Sequence, residues 1–278
     1  MPIFQGKVLL SSMAAVVLLT FAASATAVAG PIPAGWSCSG SCGSDGADGV
    51  VTLSPSGNSS YEYVTSTGSN VTAVLPGLTM TSETNGSVLT TSTFSATAGQ
   101  ALNFYFNFVT SDGSSTFADY GWAELFNATT GLPSALLFTG QTEPSGSIVP
   151  AQGLAGAGFT PIATLNPASV PIIAGGPAWS PLGTWSGQCF DVGCGYTGWV
   201  LSSYNVPTDG NYFLEFGATN WVDTEYDTGM AIDGVTIGGT PIVTPTGPAA
   251  ATPEPSTLVL LGSGLIGLAG AVKHRLSR

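Results

Sequence analysis

Four carboxylates near the end of the sequence have the residue types and spacing of a cation site. Asp223, Glu225 and Asp227 alternate with other residues, and Asp233 follows closely. On a β-strand, alternate residues share one face about 7 Å apart, so the first three acids would point the same way. Carboxylate oxygens are ligands that Ca²⁺ prefers, although the order is not that of an EF-hand loop. The pattern predicts either a structural Ca²⁺ held by these four residues or a solvated acidic loop.

The distribution of charge limits how these acids can be neutralised. The four Lys and Arg residues and the one His lie in the two terminal segments, whereas all 16 Asp and Glu residues lie between positions 45 and 254. A carboxylate in the central region must therefore be solvated, hydrogen-bonded or bound to a cation. The same distribution excludes nucleic acid as a partner, because phosphate neutralisation needs Lys or Arg. It also excludes a serine or cysteine protease that depends on a histidine base.

The four cysteines form two close pairs, Cys38 with Cys42 and Cys189 with Cys194. In an oxidising compartment such pairs are typical of local disulfides, each of which would stabilise the fold by roughly 2 kcal/mol. Four cysteines also permit two other pairings. A four-thiolate zinc site has similar spacing, but an oxidising compartment disfavours it.

Aromatic side chains offer a way to bind carbohydrate. Three tryptophans near the second cysteine pair could form a platform for sugar rings: Trp179, Trp185 and Trp199. Against this, large aromatic side chains dominate the interior of β-sandwiches. A binding module requires that the tryptophans be exposed on a concave face.

Paired carboxylates could instead serve as the acid and base of a glycan hydrolase. The candidates are Glu124, Glu215 and Glu225. Such an enzyme requires two carboxylates that face each other across a cleft. We expect the protein not to be an enzyme.

Hydrophobic periodicity predicts the elements that position these residues. From Ala101 to Thr110 apolar side chains alternate with polar ones, which is the pattern of a strand with one buried face. Further strands are predicted at 87–94, 120–126, 198–202, 212–216 and 230–237. Turn signals such as Asp112 followed by Gly113 separate them, and Gly234 inside the last run indicates a bulge. With no convincing helix between the termini, the sequence predicts an all-β, two-sheet sandwich of jelly-roll type.

The first 29 residues have the three parts of a secretory signal peptide. Lys7 supplies positive charge, residues 8–21 are apolar, and residues 22–29 are rich in small side chains. Cleavage is predicted after Ala29, and a permanent membrane anchor is the weaker alternative because the apolar run is short. The mature domain would span residues 30–240, followed by a linker rich in Pro, Thr and Ala at 241–252.

The last 26 residues, 253–278, combine three parts in order. These are Pro253, Glu254 and Pro255, then a fifteen-residue hydrophobic stretch at 258–272, then the basic residues Lys273, Arg275 and Arg278. The order resembles the PEP-CTERM sorting signal of Gram-negative bacteria, whose tail is processed by a membrane enzyme, the exosortase. At about 1.5 Å per residue a helix of this stretch reaches roughly 22 Å, short of a hydrocarbon core of about 30 Å. We therefore expect a hydrophobic sorting helix that anchors the chain only transiently, with its basic end in the cytoplasm; an ordinary tail anchor is the alternative.

Two internal segments, 94–104 and 229–237, resemble strands of jelly-roll domains common among PEP-CTERM proteins, as does Trp36 followed by the first cysteine pair. Together the resemblances imply a non-enzymatic protein of the cell surface or extracellular matrix. It would be cut by signal peptidase and by an exosortase-like enzyme, and it would associate with exopolysaccharide in a biofilm. A carbohydrate-binding module is the first alternative, and a glycan hydrolase is the second.

Overall fold

A computed structural model describes residues 29–77, 82–141, 147–148 and 162–242. The predicted signal peptide up to residue 28, most of the linker and the sorting tail lie outside the described residues. Within the described ranges the regular structure is β except for one short 3₁₀ helix, Ser180–Trp185. No helix in these ranges is long and apolar enough to cross a membrane.

The described strands follow the predicted alternation of apolar and polar residues. In chain order they are β1 (Ser37–Ser39), β2 (Ser41–Asp45), β3 (Tyr61–Thr65), β4 (Glu83–Thr90), β5 (Phe94–Ala96), β6 (Ala101–Thr110), β7 (Tyr120–Asn127), β8 (Pro133–Gln141), β9 (Ser147–Ile148), β10 (Thr164–Asn166), β11 (Val170–Pro171), β12 (Ile173–Ala174), β13 (Gly195–Tyr196), β14 (Val200–Asn205), β15 (Gly210–Trp221), β16 (Thr228–Ile237) and β17 (Thr240–Pro241).

Two antiparallel sheets contain nearly all of these strands. Sheet I has the order β1-β4-β15-β7-β8, with β5 also paired to β15. Sheet II has the order β10-β14-β6-β16-β3-β2, with β12, β13 and β17 attached, and β9 pairs separately with β11. The long strands β14-β6-β16-β3 and β8-β7-β15-β4 have the order of a jelly roll. The predicted all-β sandwich is confirmed.

The inward faces of the two sheets form one apolar core. Phe104 and Phe106 of β6 are buried there. The ring of Phe106 lies 4.0 Å from that of Phe138 in β8, and the ring of Phe104 meets Phe216 of β15 edge-on at 5.2 Å. Burying a side chain of this size stabilises the fold by about 1.5–3 kcal/mol. These contacts show that the apolar face of the alternating run in β6 packs against sheet I.

Both predicted disulfides are present. Cys38 belongs to β1 of sheet I and Cys42 to β2 of sheet II, so their bridge joins the two sheets at an edge of the sandwich. Cys189 and Cys194 close a loop immediately before β13. The first bridge thus links the two layers, which its four-residue spacing alone does not reveal.

The predicted bulge at Gly234 is also present. The register of β16 against β6 shifts between Asp233 and Thr236, and Gly234 has a φ of 62°. A Cβ at this position would lie 2.9 Å from the Cβ of Ser56. Glycine is therefore required both by the left-handed backbone and by the close approach of the 54–58 loop.

Candidate functional site

The four acids predicted as calcium ligands do not lie together. Asp227 and Asp233 bracket the first half of β16 and are separated by about 20 Å at about 3.3 Å per residue of extended chain. Glu225 is exposed and Asp223 is half-buried in the loop before Asp227. The strand geometry that led to the prediction fails because this loop is not extended: Val222 and Tyr226 have φ values of 75° and 53°.

Asp233 occupies a pocket of hydrogen-bond donors. Its side chain is 1% exposed, and its carboxylate accepts bonds from Ser54 at 2.5 Å, Ser56 at 2.6 Å and Asn58 at 2.7 Å. The backbone N–H of Gly234 donates a further bond at 2.6 Å. These donors satisfy the carboxylate without a cation.

A cleft of about 370 Å³ opens beside this pocket. Asn103 and Tyr105 of β6 line it, together with Trp36 and Glu62. Trp36 Nε1 and Glu62 Oε1 are buried and have no hydrogen-bond partner. Burial, and then the charge of Asp233, raise the pKa of Glu62 to about 8. The cleft therefore combines aromatic rings with polar side chains, and two of its lining residues each have one buried polar atom without a partner.

A second polar group lies at the opposite end of β6 and β16. We call Asp112, Asp119, Asn220 and Asp227 the end cluster; all four are buried. The Asn220 amide donates to the Asp227 carboxylate at 3.0 Å. The backbone N–H of Ser114 donates to Asp112 at 3.0 Å, and that of Trp221 donates to Asp119 at 2.8 Å. Of the predicted acids, only Asp227 belongs to this cluster.

Burial dominates the electrostatics of the end cluster. It raises the pKa of Asp112 to about 7, assisted by the charges of Asp223 and Asp191. Burial and then the charge of Asp112 hold the pKa of Asp119 well above its usual range. Burial also raises the pKa of Asp227, although bonds from Asn220 and two hydroxyl groups oppose the rise. Each of these carboxyls therefore resists ionisation more than a solvated one does.

The sequence does not identify three members of the end cluster as site residues. Asp112, followed by Gly113, indicates only a turn, and Asp119 and Asn220 belong to no local motif. One sequence signal could have revealed two of them: Asp112 and Asp119 lie at the two ends of the loop that joins the strands predicted at 101–110 and 120–126. Among the described residues, no three His, Cys, Asp or Glu side chains are arranged to hold a metal ion.

The three tryptophans proposed as a sugar platform have different environments. Trp179 is fully buried, and its Nε1 donates to the Tyr61 hydroxyl at 2.9 Å. Trp199 is half-buried and donates to the Thr52 carbonyl at 2.8 Å. Trp185 is half-buried and stacks on Tyr226 at 4.4 Å. Trp179 therefore has no surface for a sugar, while Trp185 retains a partly exposed face.

The glutamates proposed as a hydrolase pair lie on one sheet. Glu124 of β7 is directly opposite Glu215 of β15, whereas Glu225 is in the exposed loop before β16. Ala123 and Leu125 point into the core, so Glu124 points away from it. Glu124 and Glu215 are thus cross-strand neighbours with Cβ atoms about 5 Å apart, and they do not face each other across a cleft.

Two solved structures are similar to the chain, both with low sequence identity and low TM-scores. A cleaved adhesin domain of Lys-gingipain from Porphyromonas gingivalis is 12% identical, covers 77% of this chain and 98% of its own, and has a TM-score of 0.34. An exo-beta-agarase is 11% identical, covers 81% of this chain and 26% of its own, and has a TM-score of 0.29. At these TM-scores neither likeness bears on the activity of this chain. No curated protein matches the sequence.

The C-terminal segment has a family match. Residues 251–275 match the family model described as the PEP-CTERM protein-sorting motif. The match contains Pro253, Glu254 and Pro255 and most of the hydrophobic and basic parts that follow. The chain therefore carries a PEP-CTERM sorting motif, which indicates an exported protein that is sorted by an exosortase.

Proposed function

We propose that the folded domain is a non-enzymatic component of the cell surface or extracellular matrix that associates with a neutral exopolysaccharide through the cleft beside Asp233. The observation that carries this proposal is the cleft of about 370 Å³, whose wall combines aromatic rings with polar side chains. A sugar hydroxyl can accept a hydrogen bond and donate one at the same time.

The side chains that line the cleft suit a neutral sugar. Tyr105 presents an aromatic ring, and Asn103 and Asn58 present amides that both donate and accept. A few polar groups on an otherwise apolar or aromatic wall are typical of small-ligand sites, and about 370 Å³ is at the low end of their volumes. Residues 30–240 contain no Lys, Arg or His, so an anionic polysaccharide would be repelled.

The first prediction concerns this cleft. Tyr105→Ala is expected to weaken binding of the exported protein to a neutral glycan at least tenfold, the equivalent of about 1.4 kcal/mol, because the ring surface is lost. Trp185→Ala is the matched control, since Trp185 is also a partly exposed aromatic residue. A glycan array followed by calorimetry on the best ligand measures both variants.

Two outcomes would contradict the proposal. One is an array on which no neutral glycan binds. The other is loss of binding in Trp185→Ala with full binding in Tyr105→Ala. That result would place the binding site at the stacked rings of Trp185 and Tyr226.

A glycan hydrolase is the second candidate, and the raised pKa of Glu62 favours it. A carboxyl with a pKa of about 8 is protonated at neutral pH, and the neighbouring Asp233 is held by hydroxyl and amide donors. A protonated carboxyl with a second carboxyl nearby, beside a cleft, is an arrangement that glycosidases use. Release of reducing sugar that disappears in Glu62→Gln would establish the enzyme; we expect no release.

We propose the following export route. Signal peptidase removes residues 1–29, the hydrophobic stretch at 258–272 anchors the chain transiently in the inner membrane, and an exosortase-like enzyme then removes the tail. The match at residues 251–275 supports the last step. The linker at 241–252 would hold the folded domain away from the membrane during that step.

A further inference from the structure

Three oxygen atoms of the end cluster are buried without any hydrogen-bond donor: Asp112 Oδ2, Asp119 Oδ2 and Asn220 Oδ1. Asp119 and Asn220 are 0% exposed, and Asp112 is 1% exposed. Buried oxygen acceptors in folded proteins nearly always have a partner. Three unpartnered acceptors at one end of a sandwich therefore call for a partner that the surrounding side chains do not supply.

The fold brings these atoms together from both sheets. Asp112 follows β6 and Asp227 precedes β16, and these strand ends are paired in sheet II through Thr110 and Thr228. Asp119 precedes β7 and Asn220 is near the end of β15, which are paired in sheet I. The 3.0 Å bond from Asn220 to Asp227 joins the two sheets, and the carboxyls of Asp112 and Asp227 lie within electrostatic range of Asp119.

In Asp112, Asp119 and Asn220 the second polar atom of the side chain already makes a hydrogen bond. These bonds restrict the orientation of the free oxygens. Asp112 Oδ1 accepts the backbone N–H of Ser114, and Asp119 Oδ1 accepts that of Trp221. Asn220 Nδ2 donates to Asp227. The three side chains are therefore held by two backbone N–H groups and by Asp227 before any ligand arrives.

We propose that Asp112, Asp119 and Asn220 bind a Ca²⁺ ion at this end of the sandwich. The ionised carboxylates of Asp112 and Asp119 and the amide oxygen of Asn220 are all acceptors, and residues 30–240 supply no Lys, Arg or His to neutralise the two charges. Ca²⁺ accepts carboxylate and amide oxygens in flexible geometry, whereas Mg²⁺ demands a regular octahedron and retains several waters. A buried, mixed set of oxygens favours Ca²⁺.

This site differs from the one predicted by sequence in its ligands and in its role. It uses two carboxylates and one amide, so it is not a cluster of three acidic ligands. It connects strands of sheet I to strands of sheet II, so the ion would fasten the two layers at this end. It is independent of the proposed glycan cleft, which lies at the opposite end of β6 and β16.

The test compares melting temperatures of the exported protein after chelation. About 1 mM Ca²⁺ is expected to raise the melting temperature by about 5 °C or more above the value in Mg²⁺ at matched ionic strength, because the ion binds only the folded form. Asp119→Asn is expected to abolish that difference. In chelator this variant should melt no lower than the wild type, since an amide replaces an unpaired buried carboxyl, so the lost response cannot be attributed to misfolding.

Asp48→Asn is the control, because it replaces an acid outside the end cluster and should keep the full calcium response. Terbium luminescence excited through tryptophan gives a direct reading of binding: the signal should be displaced by Ca²⁺ and absent in Asp119→Asn. Equal stabilisation by Ca²⁺ and Mg²⁺, or a calcium response that survives in Asp119→Asn, would overturn the site.

Discussion

Replacing Glu124 by Gln is expected to raise the melting temperature of the exported protein by about 10–20 °C near pH 9 and to change it little near pH 5. Burial, and then the charge of Glu215, raise the pKa of Glu124 from its ordinary value of 4.5 to about 8. Glu124 is 1% exposed, and its Oε2 has no hydrogen-bond partner. Its ionised form is therefore poorly stabilised in the folded protein.

The direction of the effect follows from proton binding. Because the folded protein holds the proton more tightly than the unfolded chain, the stabilisation from this group is full below pH 4.5 and is lost as the pH rises through about 8. At about 1.4 kcal/mol per pKa unit, the rise from 4.5 to about 8 corresponds to a loss of about 5 kcal/mol, and each kcal/mol shifts the melting temperature by about 2–4 °C in a domain of this size. Gln is neutral at every pH and avoids the loss.

The measurement is the difference in melting temperature between variant and wild type as a function of pH. Other buried acids change the stability of both proteins in the same way, so the difference isolates Glu124. Glu225→Gln is the control, because Glu225 is exposed and should give a flat difference near zero. If the difference in melting temperature for Glu124→Gln were also independent of pH, the carboxyl of Glu124 would titrate like a solvated one, which would contradict the prediction.

The second large effect concerns export. Mass spectrometry of the mature protein is expected to find a chain that begins at Gly30 and lacks residues 258–278. Replacing Pro253, Glu254 and Pro255 together by Ala should block removal of the tail, because these residues lie within the matched sorting motif. The uncut protein should then stay in the membrane fraction through its hydrophobic stretch.

Thr246→Ala, in the linker before the motif, should be processed like the wild type. An intact tail on wild-type protein recovered from the cell surface would contradict the proposed route. Normal processing of the triple variant would show that the enzyme recognises a different part of the tail.

The sequence by itself determined the fold class and the sorting tail, and it favoured the local disulfides. In β6 the apolar residues Leu102, Phe104 and Phe106 alternate with polar ones, and a period of two is compatible only with a strand that has one buried face. The cysteine pairs are so close in the chain that local bridges cost little chain entropy, and they form as predicted. The sorting motif is a linear signal, so its residues and their order suffice to recognise it.

The tertiary structure alone decided which side chains share a site. Asp227 and Asp233 are six positions apart in sequence, yet they lie at opposite ends of the first half of β16 and have unrelated partners. Asp112 and Asn220 are more than a hundred positions apart, yet both belong to the end cluster, because antiparallel pairing within each sheet and packing of the two sheets bring four strand ends together. By sequence Trp179 is a candidate for binding sugar, but in the folded protein it is buried beside Tyr61 and Tyr63. Burial and non-local pairing depend on where the strands pack, and local spacing carries no information about that.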